Sequence, residues 1–410
     1  MSADSTLLWD SSQPEIQADP HPWLARLRRE APVYASPMSN GGVSWLLTRH
    51  CDCVALLRDP SWSASKFPPA MLQTIAADPH APFSVVARTV LSMMLLKDGA
   101  DHARLRTLVS KAFTPRVIAE LRPRVQAIAD ELLDAAARRG ELDAIADLGM
   151  PLPIIVIAEL LGVPLEARVD LKRWSDALVT FLDGSIREKG LVGAANACVE
   201  MRTYMDRLFA ERRARPREDL ISRLLAAREI DDRLSEDELF ASVVLMLAAG
   251  HETTTNLIGN GLYTLLRHPG ELAKLRARPQ SIGSAVEELL RFEPPVTATT
   301  RLPMTRAPRA WLGREIGPGD EVVLMLAAAN RDPEVFAEPD RLDLARGDNR
   351  HLSFGFGAHF CLGAALARLE GQIALGSAVQ RFPSMKLVGE TPRWRPGLVL
   401  RGFTALPIRL

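Results

Sequence analysis

Cys361 stands in the string Phe354-Gly355-Phe356-Gly357-Ala358-His359-Phe360-Cys361-Leu362-Gly363, directly ahead of an apolar run that continues to Glu370. The run from Leu362 reads as a helix, so the sulfur lies near a helix N-terminus, where unpaired N–H groups and the macrodipole favour a thiolate. Gly355, Gly357 and Gly363 permit backbone conformations and close approaches that a Cβ would forbid, so a flat macrocycle can lie against the loop. That is how a chain offers one thiolate to a heme iron, and such an axial sulfur donates electron density that promotes O–O cleavage. In isolation the same cysteine would read as a buried structural residue in a glycine-rich turn; the whole string around it points to the ligand.

A second constellation is Ala249-Gly250-His251-Glu252-Thr253-Thr254, inside a helical pattern expected over Ser235–Arg267. Glu252 and Thr253 follow Ala249 by three and four residues, which predicts one shared face. Gly250 leaves room for a flat partner, and a threonine hydroxyl can bond back to the preceding turn. Because Val243 to Ala248 are apolar all round, the acid and the hydroxyl are expected inside the protein, where they need a purpose. A third pattern, Glu288-Leu289-Leu290-Arg291, is an acid and base pair spaced i,i+3. By itself it is a common surface pairing worth a few tenths of a kcal/mol.

Together these residues resemble the cytochromes P-450 in their soluble bacterial form. The family pattern Phe-Gly-x-Gly-x-His-x-Cys-x-Gly is matched at every fixed position by Phe354, Gly355, Gly357, His359, Cys361 and Gly363. The resemblance implies a mainly α protein with small β-sheets: a single triangular-prism-like domain over residues 1–410, with heme b (iron protoporphyrin IX) between the long central helix and the cysteine-loop helix. It implies Cys361 as the metal ligand, Ala249 beside the heme, and a dioxygen pocket whose proton relay is Glu252 and Thr253. His102, Arg106, Arg301 and His359 would bind the propionates, and Arg suits carboxylates because its fork donates two parallel hydrogen bonds. Glu288, Arg291 and Arg341, the last in Pro339-Asp340-Arg341, would form a three-membered structural network. At Asp98-Gly99-Ala100-Asp101-His102 the chain departs from the family's common Asp-Pro-Pro-x-His.

The implied activity is monooxygenation, hydroxylation or epoxidation of a mainly apolar small molecule with dioxygen. No Gly-x-Gly-x-x-Gly fingerprint and no cysteine set for an iron–sulfur cluster is present, so electrons would come from a separate ferredoxin or flavodoxin and its NAD(P)H-dependent reductase. Arg104, Lys111 and Arg368 could attract that partner or be ordinary solvated charges. Two rivals stay open: a peroxide-driven peroxygenase or heme-thiolate isomerase on the same fold, and a non-catalytic heme sensor or carrier. Substrate contacts are expected from the stretch Phe83–Leu95, from Val243, Val244 and Leu247, from Val296, Thr297 and Thr299, and from Leu400 within Val399–Phe403.

The elements that must position these groups are mostly helical. Periodicity predicts helices at Trp23–Glu30, Cys51–Arg58, Asp101–Phe113, Arg122–Arg139, Leu152–Leu161, Leu165–Phe181, Val192–Arg215, Leu220–Arg228, Ser235–Arg267 and Ile282–Phe292. Strands are expected at Val43–Leu47, Arg309–Leu312, Glu321–Leu326, Lys386–Leu387 and Ala405–Leu410, and an irregular stretch at Ser61–Met94.

Fifty basic residues balance fifty acidic ones, which argues against a dedicated nucleic-acid binder. Met1 to Gln13 carry no basic cluster before an apolar run, and the longest apolar run noted is Val243–Ala249, so no membrane anchor is expected. Four cysteines form no disulfide framework and fit a reducing cytoplasm. Cys51-Asp52-Cys53 lacks the second ligand pair that a structural zinc requires.

Overall fold

A 32-residue helix, Glu236–Arg267, runs through the middle of the molecule. Its start is specified locally: Ser235 accepts from the Glu238 amide, the Glu238 side chain accepts from the Ser235 amide, and Glu236, Asp237 and Glu238 place negative charge in the first turn. From Leu239 onward it is buried on nearly all sides, with polar residues such as His251, Glu252 and Asn256 among the enclosed ones, because other helices surround it. The partners are Pro151–Leu161, Arg168–Leu182, Ile282–Phe292 and Ala364–Arg381. The computed structural model describes residues 13–38, 42–65, 69–182, 188–229, 232–304, 309–311, 313–317, 319–389, 392–397 and 399–410.

Glycines set the closest crossing. A Cβ on Gly261 would come within 2.9 Å of Leu375, and one on Gly371 within 2.9 Å of Leu257, so the central helix and the helix Ala364–Arg381 nearly touch there. The pairs 257/371 and 261/375 advance together, so the two helices run in the same sense. Ala249 and Cys361 both lie two to three turns upstream of that contact.

The largest sheet has the order Val33–Pro37, Val43–Leu47, Glu321–Leu324, Thr299–Pro303, Trp62–Ser63. Val43–Leu47 pairs antiparallel with Val33–Pro37 and parallel with Glu321–Leu324, and Arg301 stands opposite Val322. A smaller sheet joins Lys386–Leu387, Pro407–Arg409 and Glu141–Asp143.

Expected helices appear within a few residues of their predicted bounds, and Arg122–Arg139 and Ile282–Phe292 coincide with them. The stretch Ser61–Met94 does not remain irregular: Pro69–Ala77 and Pro82–Leu91 are helices, each opened by a proline whose fixed φ suits the first turn. Glu321–Leu326 ends as a strand at Leu324 and turns into the short helix Leu326–Ala329. Of the expected Arg309–Leu312 strand, Arg309–Trp311 pairs with Arg314–Ile316, while Leu312 and Met1–Ser12 lie outside the described residues.

The longest apolar helical stretch is Ala144–Leu161, not Val243–Ala249. It is long and apolar enough to cross a bilayer by length and composition, yet it includes Asp147, Pro151, Pro153 and Glu159 and is mostly buried against the central helix. A core helix passes that test as readily as a membrane span.

Candidate active site

The loop carrying Cys361 is shaped by its glycines. Gly355 and Gly357 have φ of 69° and 71°, in the left-handed region, and a Cβ on Gly357 would sit 2.7 Å from the Leu57 carbonyl oxygen. The Cys361 amide donates to the Phe354 carbonyl at 2.9 Å, which closes the loop on itself. Cys361 and Phe360 are exposed at the mouth of the helix Ala364–Arg381. Burial of the sulfur among surrounding atoms pushes the thiol up; the Gly363 amide, the charges of Arg106 and Arg368, and the Ala364 amide oppose that push. A coordinated metal cation would decide the contest for the thiolate, since a thiol that binds a metal is deprotonated outright.

The loop is braced from the helix Ile282–Phe292. Glu287 takes two hydrogen bonds from Arg368, at 2.7 and 2.8 Å, and faces His351 Nε2 at 3.2 Å. Burial would raise the Glu287 carboxyl, but these donors outweigh it and hold it at about 2. The Arg368 guanidinium lies 4.4 Å from the centre of the Phe354 ring. Ser353 donates to the Leu290 carbonyl at 2.7 Å, and Asn330 donates to Ser353 at 2.8 Å and accepts from the Leu352 amide at 2.7 Å. Arg368 is therefore engaged within the protein, as is Arg104, which pairs with Glu238. Lys111 also has an interaction within the protein.

Beneath this brace lies the expected acid and base pair. Arg291 and Glu288, both fully buried, share two hydrogen bonds of 2.8 Å. Their third partner is Arg346, which reaches both Glu288 oxygens at 3.1 and 3.2 Å. Arg341 is not that partner: its side chain is half exposed and pairs with Glu338 and Asp343, and only its carbonyl accepts from Arg291. The exposed Arg341 guanidinium stays solvated, whereas Arg346 is drawn under the loop by Glu288 and by the carbonyl of Ala337.

The facing surface belongs to the central helix. Between Leu239 and Leu265 every residue is buried except Met246, Ala249, Gly250, Thr253 and Tyr263, with Ala249 exposed and the others half-buried. Met246, Ala249, Gly250 and Thr253 follow the i, i+3, i+4, i+7 spacing of one face. A Cβ on Gly250 would meet nothing within 4 Å. The Thr253 hydroxyl donates to the Ala249 carbonyl at 2.8 Å, the back-bond expected of it. Glu252 does not share this face. It is buried on the flank of the stripe and pairs with Arg395, whose charge draws the carboxylate away from Thr253.

Four cationic or potentially cationic side chains converge beside the cysteine loop. The rings of His102 and His359 stack at 4.0 Å. Arg301, buried in the sheet, donates to the Thr300 carbonyl at 2.8 Å, and Arg106 completes the group. Burial lowers His102 and holds His359 at about 4, aided in each case by the neighbouring charges, and burial also lowers Arg106 and Arg301. Among the described residues neither arginine has a carboxylate within ion-pair distance. The one acid nearby, Asp98, lies 3.8 Å from His359 and is itself bound by Ser63 and the Ala64 amide. In place of prolines, Gly99 takes φ 54° and Asp98 ties the loop to that strand.

A thiol on a glycine loop, a facing stripe of small side chains and an unbalanced cationic cradle at the edge fit a flat, dianionic iron macrocycle. Cys361 would hold the iron, His102, Arg106, Arg301 and His359 the propionates, and Phe354, Gly355, Gly363 and Ala249 the flat faces.

The expected substrate contacts divide. Val296 bridges to Leu400, the Thr297 amide donates to Val399 at 2.9 Å, and Thr299 accepts from Arg301 at 3.4 Å, so these segments are stapled together. Val243 and Val244 are fully buried and Leu247 nearly so, and the accessible residue of that turn is Met246. Phe83 packs against Phe181 at 5.8 Å from the helix Pro82–Leu91. Sequence reasoning missed Arg346, Glu287, His351, Arg395 and Met246. Glu287 adjoins the Glu-x-x-Arg pair, but nothing in the chain around Arg346 or Arg395 separates them from the other arginines.

Comparison with known proteins follows the same lines. The sequence model of the family described as Cytochrome P450 matches residues 177–282 and 282–396. Cytochrome P450 107B1 of Saccharopolyspora erythraea is 44% identical over 407 residues, 95% of each chain. The solved structure of PksS, the cytochrome P450 of the Bacillus subtilis bacillaene polyketide synthase, is 37% identical and superposes with a TM-score of 0.89 over 98% of this chain and 100% of that one. The structure of P450BioI bound to an acyl carrier protein ligated with hexadec-9Z-enoic acid is 36% identical, with a TM-score of 0.89 over 97% and 99%. Matched by that family model over residues 177–396 and by these relatives along nearly its whole length, this protein belongs to the cytochrome P450 family of heme-iron monooxygenases.

Proposed function

We propose that residues 1–410 act as one cytoplasmic domain that hydroxylates or epoxidises a mainly apolar small molecule, with heme b as cofactor and electrons from a separate ferredoxin or flavodoxin and its NAD(P)H-dependent reductase. The observation that carries this reading is the accessible stripe Met246, Ala249, Gly250, Thr253 on a helix otherwise enclosed. When bound, the heme supplies the activation of dioxygen. The chain supplies the rest. Cys361 holds the iron, while Arg106 and Arg301 neutralise the propionates and His102 and His359 offer them ring N–H donors. Thr253, its hydroxyl hydrogen turned to Ala249, keeps its oxygen lone pairs towards the stripe, where they can accept and pass on a proton. Glu252 provides the acid behind it. Glu288 and Arg291, with Arg346, hold the loop rather than the reactants.

Val296, Thr297, Thr299 and Leu400 form the apolar edge that meets the substrate, with the threonines as orienting groups. The names of the relatives support an apolar, chain-like or polycyclic guest: P450BioI is bound to a fatty acyl group on its carrier, and another similar chain is a vitamin D(3) 25-hydroxylase.

The test is a spin-shift titration of the ferric protein against a compound library, followed by turnover of the compounds that shift, with a reductase system and with peroxide alone. Product formed from dioxygen only when reductase is present is the expected result. Robust peroxide-only turnover that is insensitive to Thr253→Ala would replace the monooxygenase reading with a peroxygenase.

A further inference from the structure

His251 is the residue that the oxygen-site motif leaves unspecified, and it lies on the back of the central helix between two carboxylates. Its side chain is almost entirely buried. Nδ1 is 2.8 Å from the Leu247 carbonyl oxygen and 3.3 Å from the Ser175 hydroxyl. A carbonyl only accepts, so Nδ1 carries a hydrogen and Nε2 is the atom at which the ring can gain or lose a proton. Nε2 has no hydrogen-bond partner among the described residues, and it stands 3.8 Å from Asp176 Oδ1 and 3.8 Å from Glu252 Oε2.

The two acids differ in their access to water. The Asp176 side chain is 43% exposed and pairs with Lys172, whereas Glu252 is 8% exposed and its other oxygen is held by Arg395. Burial would raise the Asp176 carboxyl, but His251 and Lys172 outweigh it and keep it below the usual carboxylate range. Lys172 and Arg395 already balance the two carboxylates, which leaves the site better suited to a proton than to a divalent cation.

We propose that His251 is a positioning residue that passes protons from water at Asp176 to Glu252, on the reading of Glu252 as the acid of the oxygen site. A proton collected at Asp176 moves to Nε2 and forms an imidazolium stabilised by both carboxylates. That Nε2–H then gives the proton to Glu252 Oε2, and His251 returns to neutral with its Nδ1–H bond to Leu247 undisturbed. Carboxylate rotation or one bridging water closes the 3.8 Å gaps. Once neutral, Glu252 loses its attraction to Arg395 and is free to turn towards Thr253.

The test uses the full-length, heme-loaded enzyme and a compound that gives a spin shift, with the ferrous carbon monoxide band as the check on folding. Reductase-driven turnover should fall about tenfold or more in His251→Leu and about threefold in Asp176→Asn, modest beside the usual worth of a positioned proton donor. Both variants should show a larger solvent isotope effect than the parent. Peroxide-driven turnover should hold in both, because peroxide brings its own protons, and His251→Leu/Glu252→Gln should be no slower than Glu252→Gln alone. A slow Glu252→Gln beside an unimpaired His251→Leu or Asp176→Asn would overturn the relay alone, as would a parallel loss of reductase-driven and peroxide-driven turnover. A Glu252→Gln enzyme at the parent rate would overturn the reading of Glu252 and the relay with it.

Discussion

The two sides of the central helix are built on different principles. On the cysteine side, loop 350–363 is tied down by directional groups: Glu287 with Arg368 and His351, Ser353 with Leu290 and Asn330, and Glu288 with Arg291 and Arg346. On the far side, the helices Pro82–Leu91 and Arg168–Leu182 meet the rest through apolar contacts such as Phe83 with Phe181, with few buried polar ties beyond His251. Hydrogen bonds and buried ion pairs demand particular residue types in particular geometry, whereas apolar packing accepts many sequences of similar volume. One side can therefore hold an iron ligand in place while the other is open to change with the substrate.

That contrast can be broken most decisively at the sulfur. Cys361→Ser should abolish the red-shifted Soret band of the ferrous carbon monoxide complex, and its retention would remove the ligand assignment. Next in size is Glu288→Gln, which leaves the buried Arg291 and Arg346 without their charge partner; it should cost about 3–5 kcal/mol and appear as failed heme incorporation rather than slow turnover. A folded, fully loaded Glu288→Gln protein would show that the brace is not what holds the loop.

Acid should find the same side first. Glu287 is lowered to about 2 from an ordinary 4.5, so its contribution is complete above pH 4.5 and is lost as the pH falls towards 2. The loss is at most about 3 kcal/mol. Following heme release and helix content together through that window should show release in the parent and a flatter profile in Glu287→Gln.

On the far side, Val244→Ala should cost about 1–3 kcal/mol in thermal or denaturant unfolding, with the set of spin-shifting compounds unchanged, because Val244 is core rather than pocket. Arg341→Ala should move stability by less than about 0.5 kcal/mol, as expected of an exposed ion pair. An effect as large as that of Arg346→Ala would restore Arg341 to the network.

The same division explains how far the chain could be read. Phe354, Gly355, Gly357, His359, Cys361 and Gly363 are legible because a thiolate, a tight turn and a close approach admit few alternatives. The central helix is legible from its capping box and its length. The helices Pro69–Ala77 and Pro82–Leu91 were missed because prolines that start a helix look locally like prolines that break a chain.

By itself, then, the sequence determined the helical class and marked out Cys361 as the candidate ligand and the residues proposed to balance two carboxylates, since each of these follows from local spacing and from the chemistry of single side chains. Tertiary structure alone decided that Arg346 rather than Arg341 meets Glu288, that Met246 rather than Val244 lies on the accessible stripe, and that Glu252 looks back to Arg395 and His251. Those pairings join residues dozens to hundreds of positions apart, or depend on which flank of a helix is covered. They are fixed by how the elements pack, about which local sequence carries no signal.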